Sequence, residues 1–343
     1  MKTKVIEIKE NEIASENVEL AAKYLKEGKL VAFPTETVYG IGANALSADA
    51  AANIYKAKGR PSDNPLIVHL ADFEQLADYV NEISEKAKRL AEAFWPGPLT
   101  MIFRKKDKIP STITGNLDTV GIRIPAHPIA RAVLKACGLP IAAPSANISG
   151  KPSPTVFEHV LEDLDGRVDM IIHAGSAQVG LESTVIDMTK EVPVILRPGA
   201  ITKEMIEAVI GTVLINRGNL AEKEIPMAPG MKYRHYAPKG QLFLLEGDFA
   251  EVLSMLRERL EQAKKEGKKA AAMVPSQYKE ELSGYLCFDL GNGEDLEMIA
   301  RKLFDGLRFM DVHQIEEIYS PVYPETGIGE AIMNRLRKAA GAK

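Results

Sequence analysis

Apolar positions recur at helical spacing at Val18, Ala21, Ala22 and Leu25, and Gly28 follows them as a stop. A short apolar run, Leu30–Phe33, comes next and predicts a strand. The helical stripe returns at Ala87, Leu90, Ala91 and Phe94 behind Ser84, and Trp95-Pro96-Gly97-Pro98 ends it. Pro128 opens another helix that closes near Gly138, and "LPIAAP" follows as a strand. Thr155 with Glu158 reads as a capping box before a further helix. Short strands are predicted at "VDMIIH", "TVIDM" and "PVILRP". This alternation predicts an α/β domain with a mixed sheet over residues 1–205.

From about 201 to 240 the pattern weakens, and "EIPMAPGMKYRHYAPKG" reads as a linker because prolines and glycines interrupt it. Residues 206–240 are therefore expected to be a linker. Residues 226–238, with Tyr233, Arg234, His235 and Tyr236, are expected to fold over the pocket mouth as a lid, with docking between the two domains as the alternative, because aromatic side chains gain burial and a hydrogen bond against a ligand. Beyond it, "QLFLLEG", a helix, "KKAAAMV", a helix and "YLCFDL" repeat a strand–helix rhythm. Residues 241–343 are expected to form a small parallel, Rossmann-like α/β domain. The charged run 257–269 alternates acids with bases and reads as a solvated helix face.

Composition narrows the class. The chain has 343 residues, 45% hydrophobic and 26% charged, with a net charge of −4. That is enough chain for two domains and a large core, and no global positive field advertises nucleic acid. Cys137 and Cys287 form no CxxC pair, which excludes a thiolate zinc module. The charged N-terminal stretch has no apolar signal core and no run is long enough to span a bilayer, so a cytoplasmic protein is expected.

Several familiar motifs fail. Gly150-Lys151 imitates the end of a phosphate loop, but Pro152 and Ser145 stand where a hydroxyl residue and a glycine are needed. "GIGANA" imitates a dinucleotide fingerprint without the strand and distal acid it requires. HExxH and GxSxG are absent.

Parity is more informative. In "DTVGIRIP", Thr119, Gly121 and Arg123 share one strand face and Val120, Ile122 and Ile124 the other. A gap between a hydroxyl and a guanidinium suits a small ligand, and Arg123 could grip a carboxylate, although from this strand alone a surface strand with a salt bridge is the better fit. The same parity sets Thr35, Thr37 and Tyr39 on one face of "PTETVYG", opposite Glu36 and Val38. "PSANISGKPSPT" follows a strand, where open α/β sheets place ligands. "KGRPSDNPL" stiffens Lys58 and Arg60 between prolines. Lys58, Arg60, Arg123 and Arg197 are interleaved with Thr, Ser and Asn, while catalytic acids and nucleophiles are scarce. That balance suits transfer at a phosphate, which needs positioning and charge neutralisation.

"PTETVYGIGANA", "KAKGRPSDNPLIVHL", "FWPGPLT", "VGIRIPAHP", "APSANISGKPSPT", "ESTVID" and "ILRPGAI" occur in that order and resemble the YrdC-like threonylcarbamoyl-AMP synthases. With "APGMKYRHYAPK" and the last hundred residues, the chain resembles the two-domain form of that family. The resemblance implies a twisted mixed sheet with helices around a large concave pocket. It also implies a nucleotidyltransferase that joins L-threonine, bicarbonate (or CO2) and ATP into threonylcarbamoyl-AMP and pyrophosphate. Mg²⁺ is expected to come with ATP, held through its phosphates. A downstream tRNA threonylcarbamoyl transferase complex would use the product, with a weak contact to tRNA possible.

Carried over motif by motif, the family's basic and polar catalytic tetrad falls on Lys58, Arg60, Ser145 and Asn147. Its threonine site falls on Thr37, His69, Thr119, Arg123, Ala143 and Ser183. Its nucleotide site falls on Arg60, Asn64, Thr119, Ser145, Ser153, Arg197 and Tyr236. No residue is implied as a direct metal ligand. Two rival readings are an RNA-binding module and a hydrogenase-maturation carbamoyl transferase. The charge balance weighs against the first and the missing CxxC against the second.

Overall fold

A computed structural model describes residues 2–9, 11, 13–216 and 235–341. It divides into two compact units, Met1–Ser149 with Ser153–Tyr233, and Gly150–Pro152 with Arg234–Lys343.

The first unit runs β1 (Lys4–Glu7), α1 (Glu16–Lys26), β2 (Val31–Phe33), β3 (Gly40–Asn44), α2 (Ala48–Lys58), β4 (Ile67–His69), α3 (Glu85–Phe94), β5 (Leu99–Arg104) and α4 (Ser111–Thr114). It continues through β6 (Thr119–Arg123), α5 (Pro128–Cys137), β7 (Ile141–Ala142), α6 (Phe157–Leu164), β8 (Met170–His173), β9 (Thr184–Asp187), β10 (Val194–Arg197), α7 (Lys203–Ile210) and β11 (Leu214–Ile215). The strands lie in the order β1-β8-β2-β3-β7-β4-β6-β5-β9-β10-β11. Pairing is mixed: β4 and β6 are parallel, whereas β3, β7 and β5 join their neighbours β2, β4 and β6 antiparallel. Apolar side chains such as Ile41, Val68 and Ile122 make one core cluster, and Val31, Phe33 and Val133 belong to another. Strands this apolar have little polar surface to leave in water.

Several local expectations change. "PTETVYG" is a bent loop, because Thr35 Oγ1 accepts from the N–H groups of Thr37 and Val38 and so competes with strand pairing. The N-cap of α6 is Val156, one residue after the expected Thr155, and it makes no side-chain cap bond. Both faces of β6 are buried, Thr119 and Arg123 included, so its polar face is no water surface. Regular structure continues past 201, since α7 and then β11, paired to β10, occupy that stretch.

The second unit contains β12 (Gln241–Leu245), α8 (Phe249–Lys265), β13 (Ala270–Val274), α9 (Ser276–Glu281), β14 (Cys287–Asp289), α10 (Leu296–Val312), β15 (Glu317–Pro321) and α11 (Ile328–Ala340). Its four strands are all parallel, in the order β12-β15-β13-β14. β15 stands between β12 and β13, although the alternation of apolar runs did not single it out. Among the described residues, no helix is long and apolar enough to cross a membrane.

Most of the expected lid, residues 226–234, lies outside the described residues. Tyr236 belongs to the second unit, where its ring stacks on Phe304 at 5.1 Å and lies 5.8 Å from the Arg335 guanidinium. It is buried and holds a φ of 63°, a conformation that costs energy for a residue with a Cβ.

Candidate active site

Lys58 is the last residue of α2. Gly59 follows in the left-handed region, which turns the chain sharply into Arg60 and Pro61. The turn is buried: Lys58 is 1% exposed, Asn64 1% and Arg60 9%. Gly115, also left-handed, packs so closely on the carbonyl of Asp63 that a Cβ there would lie 2.7 Å from it. Lys58 Nζ donates to the carbonyl of Ser145, to the carbonyl of Asn147 at 2.6 Å and to Asn147 Oδ1 at 3.3 Å. Arg60 donates through Nη2 to the carbonyl of Pro65 at 3.0 Å and to that of Asn64 at 3.4 Å. The two cations shape the loops around them as well as supplying charge.

A path of bonds leads from this loop across the sheet. The Ser149 N–H donates to the Lys58 carbonyl, Ser145 bridges to Gly40, and the Ala146 N–H donates to the Tyr39 carbonyl. Tyr39, fully buried, ends on the carbonyls of Ala174 and Gly175, and burial pushes its phenol well above the usual tyrosine range. The same loop carries Thr37, whose hydroxyl accepts from Arg123 Nη1 at 2.8 Å. Arg123 Nε donates to the carbonyl of Gly97 at 3.2 Å, and Nη2 lies 2.6 Å from Glu36 Oε1. The pair is deeply buried, at 5% and 6% side-chain exposure. Burial pushes the Glu36 carboxyl up, but the Arg123 charge, aided by nearby backbone N–H groups, holds it below the usual carboxylate value.

His69 pairs in register with Arg123 across β4 and β6. Burial first, and the Arg123 charge second, push its pKa down to about 3, so it is neutral near pH 7. Its Nδ1 is buried without a hydrogen-bond partner among the described residues, and so is Asn64 Oδ1. Orphaned buried polar atoms are costly and rare, and a ligand is one way to satisfy them.

On the far side of Arg123 the path reaches β9 and β10. The Thr184 N–H donates to the carbonyl of Pro98. The Ser183 hydroxyl pairs with Thr100 Oγ1 at 2.8 Å. Arg197 Nε donates to the Ser183 carbonyl at 3.0 Å, and its Nη2 donates to Ser183 Oγ at 3.1 Å. Ser153 Oγ donates to Glu182 Oε1 at 2.6 Å, next to Ser183. Gly199 makes this packing possible, because a Cβ there would lie 2.4 Å from the Thr184 nitrogen. Gly199→Ala is therefore expected to destabilise the protein by about 1–3 kcal/mol through overpacking, read as a lower urea midpoint with an unchanged m-value.

Thus Thr37, His69 and Arg123 are joined directly or in register, Ser183 and Arg197 are bonded to each other and reach Arg123 through the Gly97-Pro98 backbone, and Lys58, Ser145 and Asn147 join through the Gly40 loop. Thr119 is buried two positions before Gly121 on β6, and the Ala143 N–H donates to the Ile67 carbonyl beside β4. Sequence reasoning passed over Glu36, Thr100 and Glu182. A carboxylate between two threonines in an otherwise apolar stretch was the available signal for Glu36. Among the described residues, no group of three or more His, Cys, Asp or Glu side chains could hold a metal ion.

Residues 23–199 match the Sua5/YciO/YrdC family, described as "Telomere recombination", and residues 201–341 match the threonylcarbamoyl-AMP synthase C-terminal domain. The threonylcarbamoyl-AMP synthase of Pyrococcus abyssi is 48% identical over 340 residues, which cover 99% of this chain and 98% of that protein. The synthase of Bacillus subtilis is 48% identical over 324 residues, covering 94% of this chain and 92% of its own. The crystal structure of P. abyssi Sua5 complexed with L-threonine superposes with a TM-score of 0.92 at 47% identity, over 99% of this chain and 98% of that one.

Proposed function

The chain belongs to the Sua5/YciO/YrdC family of threonylcarbamoyl-AMP synthases, nucleotidyltransferases of tRNA modification, and from that premise we infer how its residues share the reaction. L-threonine, as its N-carbamate, turns a carbamate oxygen on the α-phosphorus of ATP. A P–O bond forms there, the bond to the β-phosphate bridge oxygen breaks, and pyrophosphate leaves with the electron pair.

Arg123 receives the α-carboxylate of threonine, with Thr37, neutral His69 and Ser183 around it. The observation that carries this assignment is a buried guanidinium beside a buried, unpartnered His69 Nδ1. Neutral His69 adds a hydrogen-bonding atom without a second positive charge. Thr119 and Ala143 are assigned to the same substrate pocket.

Lys58, Arg60 and Arg197 offset the charge that builds on the phosphates. Asn64, Ser145, Asn147 and Ser153 supply neutral polar contacts. Because loop bonds already fix these cations, little reorganisation is needed as the charge develops. Mg²⁺ enters as part of the nucleotide substrate and is held by phosphate oxygens. The product, a mixed anhydride, is handed to a tRNA threonylcarbamoyl transferase. Tyr236 is buried within the second unit against Phe304, which gives it a structural role there.

Cleavage of ATP to pyrophosphate is expected to require both L-threonine and bicarbonate. Serine should react less well, since one missing methyl removes about 1–3 kcal/mol of discrimination. Pyrophosphate release measured with each substrate omitted checks this, and equal turnover without threonine would rule the reading out.

A further inference from the structure

Arg123 is held on three sides, and only one of them carries an opposite charge. Nε is bonded to the Gly97 carbonyl and Nη1 to Thr37 Oγ1. Nη2 lies 2.6 Å from Glu36 Oε1, the distance of a charge-assisted contact. A guanidinium buried this deeply without a counter-ion would be strongly disfavoured.

We propose that Glu36 is a positioning residue of the substrate site. Its carboxylate balances the charge of Arg123 and holds the guanidinium oriented to receive a substrate carboxylate. This rests on the reading that Arg123 binds the α-carboxylate of threonine.

The surroundings of Glu36 suit a fixed counter-ion. Its carbonyl accepts from the Val179 N–H at 2.8 Å. Thr35 Oγ1 holds the turn around it by accepting from Thr37 and Val38. The Ala126 N–H and its own N–H lower the energy of the carboxylate further. Ala126 lies just after β6 and just before the His127 cap of α5, where His127 Nδ1 accepts from the Ile129 N–H. Glu36 therefore couples the β2–β3 loop to the strand end that carries Arg123. Neutral His69 leaves Glu36 without a second positive charge pulling it from Arg123.

Glu36→Gln keeps the shape and removes the charge. The KM for threonine is expected to rise roughly tenfold to a hundredfold, as misplacing a binding group by about 1 Å costs about that much. The KM for ATP should stay within about twofold and kcat at saturating threonine within about threefold, a split that general loosening of the fold would not give. Glu36→Asp keeps the charge but draws it back by one methylene, and a severalfold rise in threonine KM is expected there.

An unchanged threonine KM in either variant overturns the proposal, as does an equal rise in both KM values. Glu36→Asp carries the test if Glu36→Gln does not fold. Calorimetric titration of Arg123→Gln with threonine separates the two layers. Retained binding in Arg123→Gln refutes the assignment of the carboxylate to Arg123. Lost binding there, with normal binding in the Glu36 variants, refutes the role of Glu36 alone.

Discussion

Arg123→Ala should bind L-threonine more weakly by about 2–5 kcal/mol, the cost of removing one partner of a buried charge pair. That corresponds to about 30-fold to 5,000-fold in Kd. ATP binding should change far less, because the guanidinium lies among Thr37, His69 and Gly97, not in the Lys58–Arg60 loop. Calorimetry with each ligand checks the difference, and an unchanged threonine Kd would refute the role.

The same variant should carry a folding signature. In the parent protein the Glu36 pKa is depressed, so its ionised form adds stability above the unfolded carboxylate pKa, and that stability is lost as pH falls through the folded value. Without Arg123 the burial of Glu36 acts against the charged form. Arg123→Ala should therefore melt lower than the parent at neutral pH, and Glu36→Gln in the same chain should recover part of the loss. A melting temperature that ignores Glu36 in the Arg123→Ala background would show that the pair is not coupled.

Turnover is where Lys58 and Arg60 should matter most. Alanine at either position is expected to slow the chemical step roughly 10²–10³-fold, the scale seen when an aimed electrostatic donor is removed. Single-turnover pyrophosphate release at saturating substrates reads this directly. The two variants should differ in one respect. Lys58 Nζ ties together the carbonyls of Ser145 and Asn147, so Lys58→Ala should also loosen the 145–149 loop and raise its amide exchange. Arg60 donates to the carbonyls of Asn64 and Pro65, so Arg60→Ala should raise amide exchange in its own turn, residues 60–65. Near-normal rates in both variants would reduce the turn to a structural element.

Much of this was legible along the chain, for a physical reason. Helices and strands answer to local spacing, so α1, α3 and α5, the strand carrying Arg123 and the parallel second sheet follow from residues close in sequence. Ordered motifs were also legible, because each is a short stretch of fixed residues. Local reading failed where a side chain competed with the backbone. Thr35 captures two N–H groups and turns an apparent strand into a bend, which cancels the parity that had set Glu36 opposite Thr37.

Local residue patterns were enough to specify the two α/β units, the cationic residues among hydroxyls and amides, and the family those motifs belong to. What each charge faces follows from the folded chain. Glu36 and Arg123 are 87 positions apart, and they meet because the β2–β3 loop folds toward the end of β6. Thr100 and Ser183 meet because β5 and β9 pair in parallel. Lys58 reaches Asn147 because the chain after β7 returns beside the end of α2. Periodicity carries no information about such distant partners. A buried charge must nevertheless be compensated, and only the folded chain shows which group does so.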